Sequence, residues 1–342
     1  MNDCRISDRW TLEGLTAIVL ENDRVRTTIL ADHGARLHEF VSKPLDRDFF
    51  WHNPRIEPRA PVFQADIDAW LSGGMDEVIP TGHVSTYRGE TYPYLGELWS
   101  LRWDYDITSR EPDHVEVHLW RLTPISPLRV DRWVSVSRGE PILRMRHRVT
   151  NLSATPFDFL WGLHPCWDVS AATRFDLPAG EMLIEDSAPG NRLGPKGTRY
   201  LWPHAQDAHT GGKVDMRQMP PPDSGFGEFQ FATQLNEGWL AVTDTAARAG
   251  AGLVFPREIF RAAWLWTTGG SWRGYYVGAL EAWTGYPQKL HDAVDHGVYS
   301  TLAGNASLEC ETAFVAYSGL AGVEHLGMDG AASGPALAKS PG

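Results

Sequence analysis

Over most of the chain, apolar and polar residues exchange places every second position. That is the period of a half-buried strand, and Gly, Pro, Asn and Asp mark the joints. "TAIVLEN" (16–22) and "VRTTILA" (25–31) are rich in β-branched residues and meet at a polar Asn-Asp joint. "HVEVHLWRL" (114–122), "RVDRWVSVS" (129–137) and "ILRMRHRVTNL" (142–152) carry the same period. In the last of these, Ile142, Arg144, Arg146 and Arg148 oppose Leu143, Met145, His147 and Val149. One face is therefore a basic stripe and the other mostly apolar. Further strands are expected in "FDFLWGLHP", "GWLAVTDT", "AGLVFP", "RAAWLWTT", "YYVGALEAW" and "ASLECETAFVAYS". A helical period occurs in two short stretches only. These are "QADIDAWLSGG" (64–74), closed by a glycine pair, and "YPQKLHDAVDHG" (286–297), with proline near its start and glycine at its end.

The pattern predicts an all-β protein: a large antiparallel β domain of sandwich type over residues 15–318, with few short helices. Residues 1–14 form an N-terminal extension in this reading. Residues 186–227, with "PGNRLGPKG", "HTGGK" and "MPPPDSGFG", read as long loops over one rim of a sheet, where specificity is commonly carried. From 319 to 342 the composition turns to Gly, Ala, Ser and Pro, which predicts a disordered or loosely packed tail. No internal repeat is found.

Composition narrows the function classes. The 342 residues carry a formal net charge of −12, spread without long runs of acid. Such a surface repels phosphate backbones and anionic membranes, so neither nucleic acid nor a membrane is expected as a partner. The opening "MNDCRISDRWTLEG" has no apolar core of a secretory signal, and no stretch approaches the ~18 apolar residues of a membrane span. Cys4, Cys166 and Cys310 are far apart and make no CxxC pair, which fits a reducing cytoplasm. The 15 tryptophans are several times the usual share. Flat aromatic faces suit the C–H faces of sugar rings, and a large β core could also absorb them.

Several chemistries find no support. "GFGEFQF" and "AGAGLVF" do not open a helix, so a dinucleotide fingerprint fails on context. No phosphate-binding Walker motif occurs, and "GGSWRG" (269–274) misses the nucleophile-elbow spacing by one residue. "HDAVDH" (291–296) reads as a surface turn rather than a metal site. Neither a metal nor a cofactor is expected.

Four segments depart from ordinary strand sequence. They are "ADHGARLHEFVSK" (31–43), "GGMDEVIPTGH" (73–83), "WGLHPCWDV" (161–169) and "GALEAWTGYP" (278–287). His164 stands in an aromatic, apolar run, either as a satisfied core histidine or aimed at a ligand. Glu281 interrupts an apolar strand beside Trp283, and a buried glutamate is costly unless paired, for instance with Arg261 or Arg273, or functional. A histidine and a glutamate at two aromatic strand ends make a plausible general acid and general base.

In their order these segments resemble the aldose 1-epimerase (galactose mutarotase-like) superfamily over residues 15–318. "LEND-R-R-T-IL…GARL" is similar to the family's start, "GGMDEVIPTG" to its Gly-Gly turn, "WGLHP" to its His-Pro strand end and "LEAWTGYP" to its glutamate segment. The resemblance implies a large antiparallel β-supersandwich. It implies Glu281 as catalytic base and His164 as catalytic acid of an enzyme that opens and recloses a sugar hemiacetal, exchanging α and β anomers without a cofactor. Arg36, Asp76, Glu77, His83 and Glu97 are candidates for binding sugar hydroxyls, with Trp161, Trp167 and Trp283 as stacking surfaces. Asp76 and Glu77 could instead only tie their turn. Leu95 stands where many members have a further site histidine, and the family's sugar-binding aspartate has no clear counterpart before residue 245. These departures favour an unusual, deoxy or acidic sugar over galactose.

Two other readings compete. A non-catalytic carbohydrate-binding domain would need no proton relay between His164 and Glu281. A sugar-acid or phosphosugar epimerase or lyase would need an additional base or an arginine cluster for a carboxylate, for which Arg36, Arg88 and Arg102 are available.

Overall fold

A computed structural model describes residues 3–337 of the chain. These fall into two compact units: the described residues up to Pro165 with Trp283–Ala313, and Cys166–Ala282 with the described residues from Phe314 onward. Each unit is built from antiparallel strands. Among the described residues no helix is long and apolar enough to cross a membrane.

In the first unit, Arg5–Leu12, Leu15–Glu21, Val25–Leu30, Arg36–Ser42 and Met75–Val78 pair in succession, and Met75–Val78 pairs with Gly162–Trp167 through Gly162 to Pro165. A second run, Asp104–Glu111, His114–Leu122, Leu128–Ser137 and Ile142–Asn151, is a plain meander. The strands expected at 16–22, 25–31, 114–122, 129–137 and 142–152 are therefore present to within a residue or two. Alternation does what it predicts in Ile142–Asn151: Leu143, Met145, His147 and Val149 are buried, and Arg144, Arg146 and Arg148 lie between them, partly exposed. Arg146 rests its guanidinium 3.7 Å from the ring centre of Trp133 on the adjacent strand.

The helix expected over 64–74 is not formed. Only a single 3₁₀ turn, Ile67–Ala69, occurs there, capped by the Asp66 carboxylate accepting from the Asp68 N–H. The nine residues before the glycine pair are too few to recover the cost of nucleating an α-helix. The glycines serve a close backbone crossing instead. Gly73 and Gly74 adopt φ of +95° and +81°, and a Cβ on Gly73 would lie 1.8 Å from the Trp51 carbonyl oxygen. This close approach delivers the chain into Met75–Val78. The second expected helix is present but shorter, Leu290–Asp295, and Gly297 at φ +71° follows it.

In the second unit, Glu181–Ala188, Gly227–Ala232, Ala262–Gly269 and Tyr276–Trp283 lie in that order, each beside the next. Thr173–Asp176, Trp239–Asp244 and Ala249–Val254 form a second run. The loop-rich region at 186–227 contains short strands, Arg199–Leu201, His204–Gln206 and Lys213–Asp215. They carry a small core of their own around Ile184, Leu193, Ala205 and Met216.

At the ends of the chain, Arg5–Leu12 of the extension read at 1–14 is a paired strand. In the segment from 319, His325–Leu326 pairs with Ala332–Ser333, Leu326 is buried, and the Val323 N–H donates to Asp176. Met1 and Asn2 of the extension and residues 338–342 of the tail lie outside the described residues.

Candidate active site

The strand Gly162–Trp167 is buried at every position except His164, which is partly exposed. The residue opposite His164 in the register is Asp76, and the residue opposite Leu163 is Glu77. Successive side chains of a strand point to opposite faces, so Asp76 shares a face with His164 while Glu77 points the other way. The two adjacent carboxylates singled out as sugar ligands therefore have separate surroundings.

Asp76 is gripped by Arg36. Arg36 Nε and Nη2 donate to the two carboxylate oxygens at 2.8 and 2.7 Å, and Nη1 donates to Ser72 Oγ at 2.6 Å. Both partners are buried. A bidentate fork of this kind holds both geometry and charge, and it places a compensated ion pair beside the histidine strand.

Glu77 belongs to a different cluster. Its Oε1 accepts from the Trp161 indole at 3.0 Å and sits 3.3 Å from His147 Nδ1, while Oε2 is 3.4 Å from Arg132 Nη1. His147 and Arg132 are themselves register partners on neighbouring strands. The far nitrogen of His147 meets Thr312 Oγ1 at 3.0 Å, and Arg132 also donates to the Ala35 carbonyl. Burial alone would raise the Glu77 carboxyl; His147, Arg132 and the indole outweigh it and hold it below the usual range. Burial lowers the Arg132 guanidinium. Glu77 is a tie in the interior of the first unit.

The remaining candidates divide by burial. Trp161 and Trp283 are fully enclosed, and so is Trp167 in the second unit, where its indole donates to the Leu280 carbonyl at 3.2 Å. The Trp283 ring lies against Gly162, where a Cβ would meet it at 2.4 Å; only glycine fits there. Trp161 and Thr284 exchange hydrogen bonds at 2.9 Å, which fixes the approach to His164. His83 is partly exposed and packs its ring 4.7 Å from that of Tyr94. Leu95 is buried. Glu97 is wholly buried, and its carboxylate accepts from the Ile125 and Ser126 N–H groups and the Ser126 hydroxyl at 2.6–3.0 Å. It anchors the turn before Leu128–Ser137. In the second unit Glu281 is 2% exposed on Tyr276–Trp283, a strand buried beyond its first residue.

No protein-family model matches the chain. Solved structures do. A galactose mutarotase-like protein from Clostridium acetobutylicum superposes with a TM-score of 0.62 over 92% of this chain and 99% of that one, at 12% identity. A candidate aldose 1-epimerase from Klebsiella pneumoniae gives a TM-score of 0.68 over 88% of this chain and 79% of that one, at 15% identity. The chain has the galactose mutarotase-like fold. A TPR-domain containing protein from Parabacteroides distasonis also matches, with a TM-score of 0.67 and 12% identity over 96% of this chain and 50% of that one, so the same fold occurs within a longer protein. At such identities the likeness speaks for the fold alone.

On this mutarotase-like fold, sequence reasoning missed Arg132 and His147 because both sit in ordinary alternating strands. The one available signal was the apolar face of "ILRMRHRV", where His147 is the polar member. Among the described residues no group of three metal-ligating side chains could hold a metal ion.

Proposed function

We propose that the protein is an aldose 1-epimerase-like isomerase that interconverts the α and β anomers of a free sugar. The observation that carries this reading is the exposure of His164 alone in a buried strand, opposite an Asp76 already bound by Arg36. A histidine kept accessible at such a position is available for proton transfer. In the proposed reaction Glu281 takes the proton of the anomeric hydroxyl while protonated His164 gives one to the ring oxygen. The C1–ring oxygen bond breaks, the aldehyde carbon rotates, and closure on the other face reverses both transfers. The reaction is redox-neutral, and the acid and base exchange roles on closing, so the two side chains supply both proton transfers.

The arginines favour a neutral sugar over a sugar acid or phosphosugar. Arg36 is forked onto Asp76, Arg88 Nη2 donates to Asp158 at 2.5 Å, and Arg102 Nε is 3.3 Å from Asp32. Each already has a counter-charge. His83 and the His164–Asp76 face are the polar groups we assign to sugar hydroxyls, with Trp283 behind the strand as support. Cys4 and Cys166 are buried thiols, in keeping with a cytoplasmic protein.

The test is the anomer exchange of a panel of neutral, deoxy and acidic aldoses, followed by NMR exchange spectroscopy for the wild type, Glu281→Gln and His164→Asn. Accelerated exchange of one sugar, lost in both variants with the fold kept, supports the proposal. Absence of acceleration for every sugar overturns it, and saturable binding without exchange would mark a carbohydrate-binding module.

A further inference from the structure

The second unit contains a cavity of about 140 Å³, lined among others by Arg192, Met219, Phe226, Glu228, Gln230 and Thr267. None of the proposed catalytic or sugar-binding residues lines it. Its polar groups are buried: Arg192 is 5% exposed, Glu228 1% and Gln230 0%. Arg192 Nη2 donates to Glu228 Oε1, Nη1 lies 3.5 Å from Asp207, and the guanidinium stacks 4.3 Å from the Phe226 ring centre. The other Glu228 oxygen accepts from Thr267 Oγ1 at 2.9 Å, and Gln230 Oε1 accepts from the Tyr200 hydroxyl.

The hydrogen-bond balance is lopsided. Among the described residues neither Arg192 Nε nor Gln230 Nε2 has an acceptor. A guanidinium Nε carries one hydrogen and a carboxamide nitrogen two, so three N–H groups at this buried site have no protein partner. Leaving such donors unmatched in the interior is unfavourable, because they lose water without gaining a protein acceptor. A molecule entering here must therefore bring acceptor oxygens. It gains nothing by bringing negative charge, because Arg192 is already faced by Glu228 and Asp207. Cavities of about 150 Å³ hold one six-membered ring.

We propose that this cavity is a second binding site, for a small neutral polyol of at most about monosaccharide size. Its hydroxyl oxygens accept from Arg192 Nε and the Gln230 amide, and its carbon skeleton rests on Met219 and the other apolar wall residues. The inference is independent of the isomerase reading, since a polyol without an anomeric carbon qualifies.

The experiment titrates the full chain with erythritol, myo-inositol and inorganic phosphate by NMR and calorimetry, and soaks crystals with the polyol that binds. Erythritol and myo-inositol have no hemiacetal and cannot be turned over. The expected result is saturable polyol binding, weakened at least tenfold by Gln230→Leu and unchanged by Glu281→Gln, with polyol oxygens at Arg192 Nε and Gln230 Nε2 in the soaked crystals. Should Gln230→Leu fail to fold, Met219→Phe, which fills the cavity, is expected to give the same loss. The proposal is overturned if neither polyol binds and the cavity holds only water, if binding survives both variants, or if phosphate binds in preference.

Discussion

The Trp161 indole N–H donates to Glu77 Oε1 at 3.0 Å, so the residue three positions before His164 is tied to a buried carboxylate that also meets His147 and Arg132. Removing Arg132 takes away the buried guanidinium that faces Glu77 Oε2 and leaves that carboxylate without its counter-charge. Arg132→Met is expected to destabilise the protein by about 3–5 kcal/mol. The double variant Arg132→Met with Glu77→Gln is expected to recover part of that loss, since the orphaned charge goes too. Chemical denaturation of the single and double variants measures both; simple additivity would mean that the network is not coupled.

Arg36 and Asp76 make the corresponding arrangement beside the proposed catalytic histidine. Arg36→Lys keeps the charge but cannot reproduce the two-pronged contact. Anomer exchange is expected to slow with the fold retained, because Asp76 loses its fixed orientation opposite His164. Equal rates for Arg36→Lys and wild type would remove the ion pair from any role at the site.

Glu97 separates a ligand role from an anchoring one. Its carboxylate accepts three hydrogen bonds from residues 125 and 126. Glu97→Gln replaces one acceptor oxygen by a donor facing other donors, at an expected cost of about 1–3 kcal/mol in stability. The KM for the sugar is expected to stay the same. A raised KM at unchanged stability would make Glu97 a substrate ligand.

Gly162→Ala forces a methyl group into the Trp283 ring. An expected loss of about 1–3 kcal/mol follows from overpacking. Thermal unfolding at a single pH decides it, and a melting temperature equal to that of the wild type would place the ring elsewhere.

Acid should weaken the fold through two histidines. Burial lowers His33 to about 2, helped by Arg36, and burial with the nearby His52 lowers His38 to about 4. Both are neutral in the folded protein near neutral pH, and the unfolded chain protonates them first, near 6.5. Stability is thus unaffected by these groups above about pH 6.5. Each then removes about 1.4 kcal/mol per pH unit as pH falls, down to about 4 for His38 and about 2 for His33. Neither His33 nitrogen has a partner among the described residues, so His33→Leu is expected to retain stability at pH 7.5 and to show a shallower loss at pH 5. Denaturation curves at the two pH values test the slope; an unchanged slope would mean that His33 is protonated in the fold.

The local pattern of the chain is enough to locate strands, because alternation is a property of neighbouring residues. Ile142–Asn151 buries its odd-numbered members, His147 included, as its sequence predicts, and the order of four short segments points to the mutarotase-like fold. The helical period at 64–74 misleads because the use of Gly73 and Gly74 depends on Trp51, a residue distant in sequence. Period two also carries a clue in plain sight: Asp76 and Glu77, being adjacent on a strand, have to face opposite ways. Which partners each meets is beyond the sequence. Arg36 for Asp76, and Trp161, Arg132, His147 and Thr312 around Glu77, come from segments that only strand pairing and packing bring together. A buried charge takes its meaning from neighbours tens to hundreds of residues away, and so does the Arg192–Gln230 cavity. The chain's own alternation determined where strands run; long-range packing decided which polar residues became ties and left His164 accessible.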